Sequence, residues 1–313
     1  MTMPEDWLRR LKLPLLIAPM FLVSTVELVV AACRKGAIGT VPAANARTVE
    51  ILDEWLHRIS TQLGPADAPW GVNLLVHKSY RRLSEDLEVV ARYRPPLVIT
   101  ALGSPREVIE CVHSYGGRVF ADVNSVQHAR KATSLGVDGL VLVAAGAGGH
   151  TGTMSAFAMV PAIREFFHGT MVLGGGIING SGIRAVETLG ADLASMGTAF
   201  IACPESMASD SYRQMLLDSD IDDLVLTKAV SGVPAYWLRK SLAAVGINAD
   251  ELESAEPVRN GDIERWTKVW SAGHGVGSLN VIEPTATLVD RLSREYWSAV
   301  ESGTKLQHSE AAQ

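Results

Sequence analysis

The stretch GLVLVAAGAGGHTG at residues 139–152 joins a continuous apolar run to a loop that contains four glycines and one histidine. A short apolar run without alternation is typical of a strand that is buried on both faces of a parallel sheet. Glycine has no side chain and adopts positive φ readily, so a glycine cluster indicates a sharp turn or a close approach by another group. The stretch therefore predicts a buried parallel strand whose carboxyl end opens onto a ligand.

Seven other runs have the same character, and most are followed by a polar or glycine-containing loop and a stretch of helical period. In chain order the eight runs are PLLIA (14–18), AIGTV (37–41), WGVNLL (70–75), LVIT (97–100), RVFAD (118–122), GLVLVA (139–144), TMVL (170–173) and LASM (193–196). Helical segments include 46–60, 104–115, 125–136 and 182–190. Eight strand–helix units predict an α/β fold in which the strands close into a parallel (β/α)8 TIM barrel.

An open doubly wound sheet is the alternative architecture for alternating strands and helices. It usually has fewer strands, and its dinucleotide-binding form carries a GxGxxG turn early in the chain. The loop GAGGHTG has Thr151 in place of the third glycine, and GGGIIN at 174–179 has Asn179 there. Neither loop matches, which favours the barrel.

Residues 207–262 do not follow this repeat, because they are acidic and read as helical, with DSDIDDL at 218–224 and NADELESAEP at 248–257. We interpret them as a small, mainly helical substrate or cap domain that is inserted into a barrel formed by residues 1–206 and 263–313. The second barrel part begins with a glycine-rich loop that includes WSAGHGVG (270–277), and a closing helix follows from about Pro284 to Glu301.

The composition is that of a globular protein with a sizeable core, since 47% of the 313 residues are hydrophobic and 20% are charged. The formal charge of −6 and the lack of a Lys/Arg cluster argue against nucleic acid as a partner. No pair of histidines has HExxH or related spacing, so no metal site is expected. We expect a small-molecule substrate; the oligomeric state stays open, with a homodimer as one option.

The apolar stretch at 13–33 resembles a signal peptide, but Pro14, Pro19 and Glu27 interrupt it, whereas signal and membrane helices are continuous. We therefore expect no membrane span. Three cysteines stand at wide spacings and form neither a CxxC pair nor an even disulfide set, which suits a reducing compartment. These features predict a cytoplasmic protein.

Two glycine loops indicate an anion site. In a barrel of this kind, phosphate commonly binds in the loops after the seventh and eighth strands, which here are GGGIING (174–180) and GTAF (197–200). Both loops lead into a helix, so backbone N–H groups and the positive ends of helix dipoles face one space. The alternative is that the glycines serve only as tight turns.

The other strand ends are apolar or backbone-rich, with Ala18-Pro19-Met20 after the first strand, Asn73 in the third and Asp122 in the fifth. Such a surface suits a flat aromatic ring lying across the barrel mouth. An aldolase needs a strand-end Lys for a Schiff base, and an enolising isomerase needs a Glu or Lys base. No strand of this set ends in Lys or Glu. A phosphorylated flavin therefore fits better than a sugar phosphate.

The order and spacing of six motifs resemble the nitronate monooxygenase family, formerly called 2-nitropropane dioxygenases. The motifs are IAPM (17–20), GVNLL (71–75), GAGGHTG (146–152), LGGGIINGSGI (173–183), LGADLASMGTAFIACPES (189–206) and WSAGHGVG (270–277). Relatives that share them include flavin-dependent enoyl-acyl-carrier reductases and NADH:quinone reductases. The resemblance implies an FMN-bearing barrel with a small substrate domain.

The resemblance also implies a role for each matching position. Phosphate contacts would come from Gly174, Gly175, Gly176, Gly197 and Thr198. The flavin ring would lie near Pro19, Met20, Asn73, Asp122, Gly148, Gly149 and Ser271. Two positions depart from the family pattern, since some members carry Lys where Asp122 stands and others an acidic residue where Ala147 stands. A cation near the flavin would stabilise its reduced form, so Asp122 implies different redox tuning.

His150 is the candidate catalytic residue, because it matches the family's active-site histidine and stands among glycines. An imidazole that titrates near neutrality can stabilise an anionic nitronate or take the α-proton of the neutral nitroalkane. The alternative is a neutral imidazole bonded to backbone at a strand end. His274 is the second candidate, as a substrate-binding residue, because its loop is expected to close over the flavin.

Three functions remain as hypotheses. The first is FMN-dependent oxidation of alkyl nitronates by O2 to a carbonyl compound and nitrite, which the resemblance favours. The second is NAD(P)H-dependent reduction of a quinone or an enoyl thioester on the same barrel. The third is a flavin-free, phosphate-binding barrel that acts as a lyase, an isomerase or a ligand-binding module.

Overall fold

A computed structural model of the chain describes residues 3–252 and 267–310. Part of the predicted 207–262 domain, its boundary with the second barrel segment and the end of NADELESAEP fall outside these residues. The division into two domains therefore stays a prediction.

All eight predicted strands are present and form one parallel sheet. Their bounds are β1 (Leu15–Ile17), β2 (Gly39–Pro42), β3 (Trp70–Leu75), β4 (Leu97–Ala101), β5 (Arg118–Val123), β6 (Gly139–Val143), β8 (Thr170–Gly174) and β9 (Leu193–Met196). A second, antiparallel sheet consists of β7 (Gly149–His150), β10 (Leu224–Thr227) and β11 (Ala235–Leu238). Because β7 is the extra short strand, the seventh and eighth barrel strands are β8 and β9.

The eight-stranded sheet closes on itself. The strands follow one another from β1 through β9, β8, β6, β5, β4 and β3 to β2. A bridge between Leu16 and Ile38 joins the two ends, and Ile17 N donates to Ile38 O over 2.8 Å. Closure removes both sheet edges, so the predicted (β/α)8 barrel is confirmed and the open sheet is excluded.

The helices are α1 (Glu5–Leu8), α2 (Val26–Arg34), α3 (Val49–Gln62), α4 (Leu83–Tyr93), α5 (Arg106–Ser114), α6 (Val126–Ser134), α7 (Ala156–Arg164), α8 (Gly180–Leu189), α9 (Thr198–Ile201), α10 (Asp210–Leu217), α11 (Arg239–Ala244) and α12 (Thr285–Glu310). The helices predicted at 46–60, 104–115, 125–136 and 182–190 correspond to α3, α5, α6 and α8. The closing helix α12 continues past the predicted end at Glu301. It lies between α8 and α2 and completes the outer layer of the barrel.

The barrel interior changes character from one end to the other. At the amino ends of the strands, apolar side chains such as Leu16, Leu97 and Phe120 pack together, and Met3 and Trp7 cover them from below. Side chains alternate between the two faces of a strand, so the residues two positions after these interior ones also face inward. This upper layer consists of Asn73, Asp122, Val143, Gly174 and Ser195. Apart from Val143, the residues of this layer are polar or lack a side chain, and the layer forms the floor of the barrel mouth.

The cap segment contains a β-hairpin that was not predicted from the sequence. Strands β10 and β11 pair in antiparallel fashion, from Leu224 opposite Leu238 to Thr227 opposite Ala235. Helices α10 and α11 flank the hairpin, so the described part of the segment mixes strand and helix. The other edge of β11 pairs with β7, which belongs to the glycine loop after β6. The cap is therefore joined to the barrel mouth by backbone hydrogen bonds.

Helices α8 and α12 pack very closely at Gly180. A Cβ on Gly180 would lie 2.2 Å from Tyr296 N and 2.4 Å from Leu292 O, which are both backbone atoms. A Cβ on Gly182, two residues further along the helix, would have a methyl group of Ile177 as its nearest neighbour, at 3.3 Å, and no other atom closer than 3.6 Å.

This difference predicts unequal effects on the free energy of unfolding for two glycine-to-alanine changes in one helix. Gly180→Ala should lower the free energy of unfolding by about 1–3 kcal/mol, because α12 must move away from the added methyl group. Gly182→Ala should change it by less than about 1 kcal/mol, because alanine favours the helix and the methyl of Ile177 can yield. Urea unfolding followed by circular dichroism measures both, and equal losses would contradict the close packing.

Candidate active site

The loop after β6 turns sharply at two glycines with positive φ, Gly146 (+88°) and Gly149 (+68°). Between them Gly148 is exposed and lies against the loop that contains Gly273, because a Cβ on Gly148 would stand 2.8 Å from Gly273 N. The glycines therefore serve two needs: positive φ and close backbone contact.

His150 is held in place by the cap. Gly149 pairs with Tyr236 and His150 with Ala235 in the second sheet, and Thr151 N donates to Pro234 O over 3.0 Å. Burial lowers the pKa of the His150 imidazole below its ordinary value. The side chain is therefore neutral at pH 7 and offers one N–H donor and one basic nitrogen.

Ser271 fixes the same loop from the other side. Its hydroxyl accepts a hydrogen bond from Gly149 N over 2.7 Å and donates to Tyr236 O over 2.6 Å. Tyr212 of α10 donates its hydroxyl proton to Ser271 O, and its ring stacks on Trp270 at 5.0 Å between centroids. Ser271 thus joins the glycine loop, the cap strand β11 and helix α10.

Three loops meet at the carbonyl oxygen of Gly146. It accepts hydrogen bonds from Gly176 N (3.2 Å) in the loop after β8 and from His274 N (3.0 Å) in the loop 270–277. The His274 ring covers this point, because a Cβ on Gly146 would lie 2.8 Å from its Nδ1 atom. His274 also packs edge-on against Tyr236, with centroids 4.8 Å apart.

The loop after β9 joins the same cluster. Gly273 N donates to Thr198 Oγ1 over 2.9 Å, so the loop 270–277 lies against both predicted anion loops. Met20, in the loop after β1, packs against Gly197 at the start of the loop after β9, since a Cβ on Gly197 would stand 3.3 Å from the Met20 sulfur atom. The structure thus brings Met20, Gly148, Gly176, Thr198 and His274 into one connected group of loops.

Two of the first amides of α8 already have partners. The side chain of Asn179 accepts from Gly182 N, and the carboxylate of Glu295 in α12 accepts from Gly180 N over 2.9 Å. The expectation that this helix end binds an anion is therefore weakened, because a carboxylate of the protein itself already occupies part of it. No hydrogen bond from the amides of Gly175 or Thr198 is found among the described residues.

Gly175 has little room above its backbone. It has φ +135°, and a Cβ there would lie 2.7 Å from Ala145 O. Gly174 faces the upper layer beside Ser195, whereas Gly176 is exposed. Because these three residues have no side chains, the surface at this point of the loop consists of backbone atoms only.

Hydrogen bonds from the side chain of Asn45, which were not predicted from the sequence, fix the conformation of the loop after β1. The buried side chain of Asn45 accepts from Leu22 N over 2.8 Å and donates to the carbonyl oxygens of Met20 and Ser24. It holds Leu22 at φ +56°, a conformation that branched side chains rarely adopt. Pro19 and Met20 are half-buried at the mouth as a result. The only sequence signal was an asparagine shortly after a strand.

Asn73 and Asp122 both face the mouth from the upper layer. Asn73 is buried, and its amide donates to Ile99 O over 3.3 Å, which leaves its oxygen available. Burial raises the pKa of the Asp122 carboxyl to about 7. No hydrogen bond or ion pair to this carboxyl is found within residues 3–252 and 267–310.

The described residues contain no group of three or more His, Cys, Asp or Glu side chains arranged to hold a metal ion. None of their helices is both long and apolar enough to cross a membrane.

Fold and site together define a class of protein: a (β/α)8 barrel whose mouth is lined by glycine loops and carries His150 and His274. Comparison with known proteins then identifies the family. The family model for nitronate monooxygenase matches residues 80–294, which is more than half of the chain. The chain therefore belongs to the nitronate monooxygenase family, and it is an oxidoreductase.

Two relatives are similar over most of the chain. A nitronate monooxygenase of Paraburkholderia phytofirmans is 26% identical over 92% of this chain and 93% of its own length. A Mycobacterium tuberculosis protein named (3aS,4S,5R,7aS)-5-hydroxy-7a-methyl-1-oxo-octahydro-1H-indene-4-carboxyl-CoA dehydrogenase is 27% identical over 76% of this chain. That match spans 64% of the relative's length, slightly under two thirds.

A solved structure shares the fold. Nitroalkane oxidase from Streptomyces ansochromogenes superposes with a TM-score of 0.79 at 24% identity, over 95% of this chain and 99% of the other. At this identity the likeness bears on the fold alone. It agrees with the closed barrel described above.

The bridging role of Ser271 predicts a local effect of its removal. Ser271→Ala leaves Gly149 N and Tyr236 O without their partner, which should cost about 1–3 kcal/mol. Amide hydrogen exchange should accelerate at residues 148–151 and 235–237. Ser278→Ala is the matched control, because its hydroxyl bonds only Gly275 O within the same loop. Unchanged exchange in Ser271→Ala would contradict the bridge.

Proposed function

We propose that the protein is an FMN-dependent enzyme that oxidises alkyl nitronates with O2 to a carbonyl compound and nitrite. One observation carries the proposal: the loops after β8 and β9 are linked to the loop after β6 through Gly146 O and through the loop 270–277, and each has an amide, at Gly175 and Thr198, for which the described residues show no hydrogen-bond partner. Family membership implies a flavin, and a phosphate is the group that suits such amides. The mouth offers no competing metal site among the described residues.

The residues at the mouth fit FMN by their chemistry. Gly174, Gly175, Gly176, Gly197 and Thr198 would hold the phosphate, because no acidic side chain stands in either loop. Pro19, Met20, Gly148 and Gly149 offer an apolar and backbone surface for the ring. Asn73, Asp122 and Ser271 would supply polar atoms at its edges. When bound, FMN would accept electrons from the substrate and pass them to O2.

His150 would act on the substrate. Its imidazole is neutral because burial lowers its pKa, so its N–H can donate to a nitronate oxygen. The pairing of β7 with β11 fixes the backbone from which the ring projects. A half-buried donor that is oriented in advance stabilises an anion more than water does, because no reorganisation is needed. His274 would bind substrate or cover the phosphate from the loop 270–277.

A second function rests on a different observation. The second candidate is NAD(P)H-dependent reduction of a quinone or an enoyl thioester on the same barrel, and the match to a protein named as a carboxyl-CoA dehydrogenase in M. tuberculosis favours redox chemistry on a coenzyme A thioester. Anaerobic addition of NADH separates the two proposals, because prompt loss of flavin absorbance would be expected of the reductase alone.

The phosphate site predicts that charge, rather than bulk, at Gly176 controls FMN binding. Gly176 has φ +66°, which Asn and Asp tolerate better than other residues, and its nearest neighbour would be His274 Cβ at 3.8 Å. Gly176→Asp should weaken FMN binding by about tenfold or more through repulsion of the phosphate. Gly176→Asn has the same shape without the charge and should bind FMN much more tightly than the Asp variant. Equal fluorescence titrations would contradict this site.

Removal of the imidazole should separate binding from turnover. His150→Ala should retain bound flavin, as its visible spectrum would show, and lose about 10²-fold or more in kcat with propionate-3-nitronate. His128→Ala, an exposed histidine of α6, is the control. A kcat for His150→Ala equal to that of the control would refute the catalytic role.

A further inference from the structure

Three loops at the barrel mouth carry exposed cations, which we call the cationic rim. Arg47 follows β2, Lys78 and Arg81 follow β3, and Arg106 follows β4. None of the four side chains forms an ion pair or a hydrogen bond within residues 3–252 and 267–310. Most other Lys and Arg side chains of the described residues bond a carboxylate or a carbonyl oxygen. The cationic rim therefore differs from the rest of the surface.

The three loops are in contact with one another. The guanidinium of Arg82 donates to Ala43 O over 3.0 Å and so joins the loop after β3 to the loop after β2. Val76 N donates to Ala101 O over 2.9 Å, and a Cβ on Gly103 would collide with Val76 O. The loop after β4 therefore packs against the loop after β3. The fold thus assembles the cationic rim from three segments that are distant in the sequence.

The loop after β3 presents its two cations on a fixed backbone. The fully buried carboxylate of Asp86 accepts from Arg82 Nε over 2.9 Å and from the Tyr80 hydroxyl over 2.6 Å. These two bonded residues stand on either side of Arg81, and Lys78 lies at the start of the same turn. A ligand that binds here meets a loop that is already ordered, which lowers the entropic cost of binding.

The cationic rim is a small basic area on an acidic protein, whose net charge is −6. The three loops and the residues that begin the next helices contain no Asp or Glu, over 43–49, 76–84 and 101–106. Exposed acids return in the first turns of α3, α4 and α5, at Glu50, Glu85 and Glu107. The positive area therefore suits a compact anion with several charges. An acidic protein surface would also have to cover these carboxylates, which would repel it.

The position of the cationic rim leaves the proposed FMN site free. Four steps along the closed barrel separate β3 from β8 in either direction, and four separate β4 from β9. The cationic rim thus lies across the mouth from the loops that are proposed to hold the FMN phosphate. Leu102, in the loop after β4, is 50% exposed and offers an apolar contact for a flat base. A ligand held there can extend over the mouth without displacing that phosphate.

We propose that the cationic rim binds the phosphorylated nucleotide tail of a second ligand, an adenosine unit with a diphosphate and a further phosphate monoester. Coenzyme A thioesters and NADPH both carry such a tail. Arg and Lys bind phosphate through charge-assisted hydrogen bonds, and the tail carries about four negative charges, which the four cations match. The inference goes beyond the proposed oxidation of alkyl nitronates, because those substrates contain no phosphate.

Isothermal titration calorimetry in the presence of excess FMN tests this binding. The probes are acetyl-coenzyme A and NADP+, and adenosine is the ligand without phosphate. At least one probe should bind about tenfold or more tightly than adenosine, and its affinity should fall about fivefold or more when NaCl is raised from about 20 to about 200 mM. The tighter probe identifies the source of the tail. Release of bound FMN by the probe would place the tail in the FMN loops and overturn the inference.

Substitutions locate the binding. Lys78→Gln and Arg81→Gln should each weaken binding of the tighter probe about fivefold or more, because each removes one charge next to a phosphate. Lys131→Gln in α6 and Arg294→Gln in α12 remove the same charges from exposed positions outside the mouth. These matched controls should bind like the parent. Equal affinities of the rim and control variants, or no binding of either probe to the parent, would overturn the inference.

Two further outcomes keep the proposals apart. Binding of a polyglutamate peptide that depends on Lys78 and Arg81, without binding of either nucleotide, would favour an acidic protein partner and overturn the inference. The kcat for the nitronate of nitroethane should be unchanged in both rim variants, because that substrate does not need the cationic rim. Nucleotide binding that depends on Lys78 and Arg81, in a protein that does not oxidise nitronates, would support the inference and overturn the proposed function instead.

Discussion

The carbonyl oxygen of Gly146 is the point on which the site depends. It accepts from Gly176 N and His274 N, and so joins the loops after β6 and β8 to the loop 270–277. The hydrogen bond from Gly273 N to Thr198 Oγ1 then adds the loop after β9. This convergence requires glycine, since a Cβ on Gly146, Gly175 or Gly273 would collide with the neighbouring loop within 3 Å. The glycines that suggested a ligand therefore also have a structural role. They allow the loops to pack closely, so that their backbone amides lie together at the barrel mouth.

The cap and the barrel are coupled through the same loop. His150 lies on a two-residue strand that exists only because β11 pairs with it, and Ser271 bonds both partners. The position of the imidazole is therefore set by a segment some 85 residues further along the chain. Tyr212 of α10 stacks on Trp270 and bonds Ser271 O. Substitutions in α10 can therefore change the position of the Ser271 loop.

The sequence predicted the barrel well because its strands are buried on both faces and give continuous apolar runs, as WGVNLL at 70–75 and LASM at 193–196 show. It failed where structure depends on contacts between distant segments. The runs LVLT and AYWL of the hairpin are only four residues long, and their partner Gly149–His150 carries no strand signal of its own. The loss of the α8 N-terminus to Glu295 depends on α12, 115 residues away. Asn45 and the raised pKa of Asp122 likewise depend on burial, which spacing does not reveal.

The barrel interior explains the raised pKa of the Asp122 carboxyl. The lower half of the interior is apolar, and Met3 and Trp7 pack against it. Within that layer the nearest strands offer Asp122 neither a cation nor a donor, and the low polarity below it favours the neutral acid. A flat ring across the mouth would reduce access of water further and favour the neutral acid still more. Burial also lowers the pKa of His150, so the same cause moves the pKa values of the carboxyl and the imidazole in opposite directions and favours the neutral form of both groups.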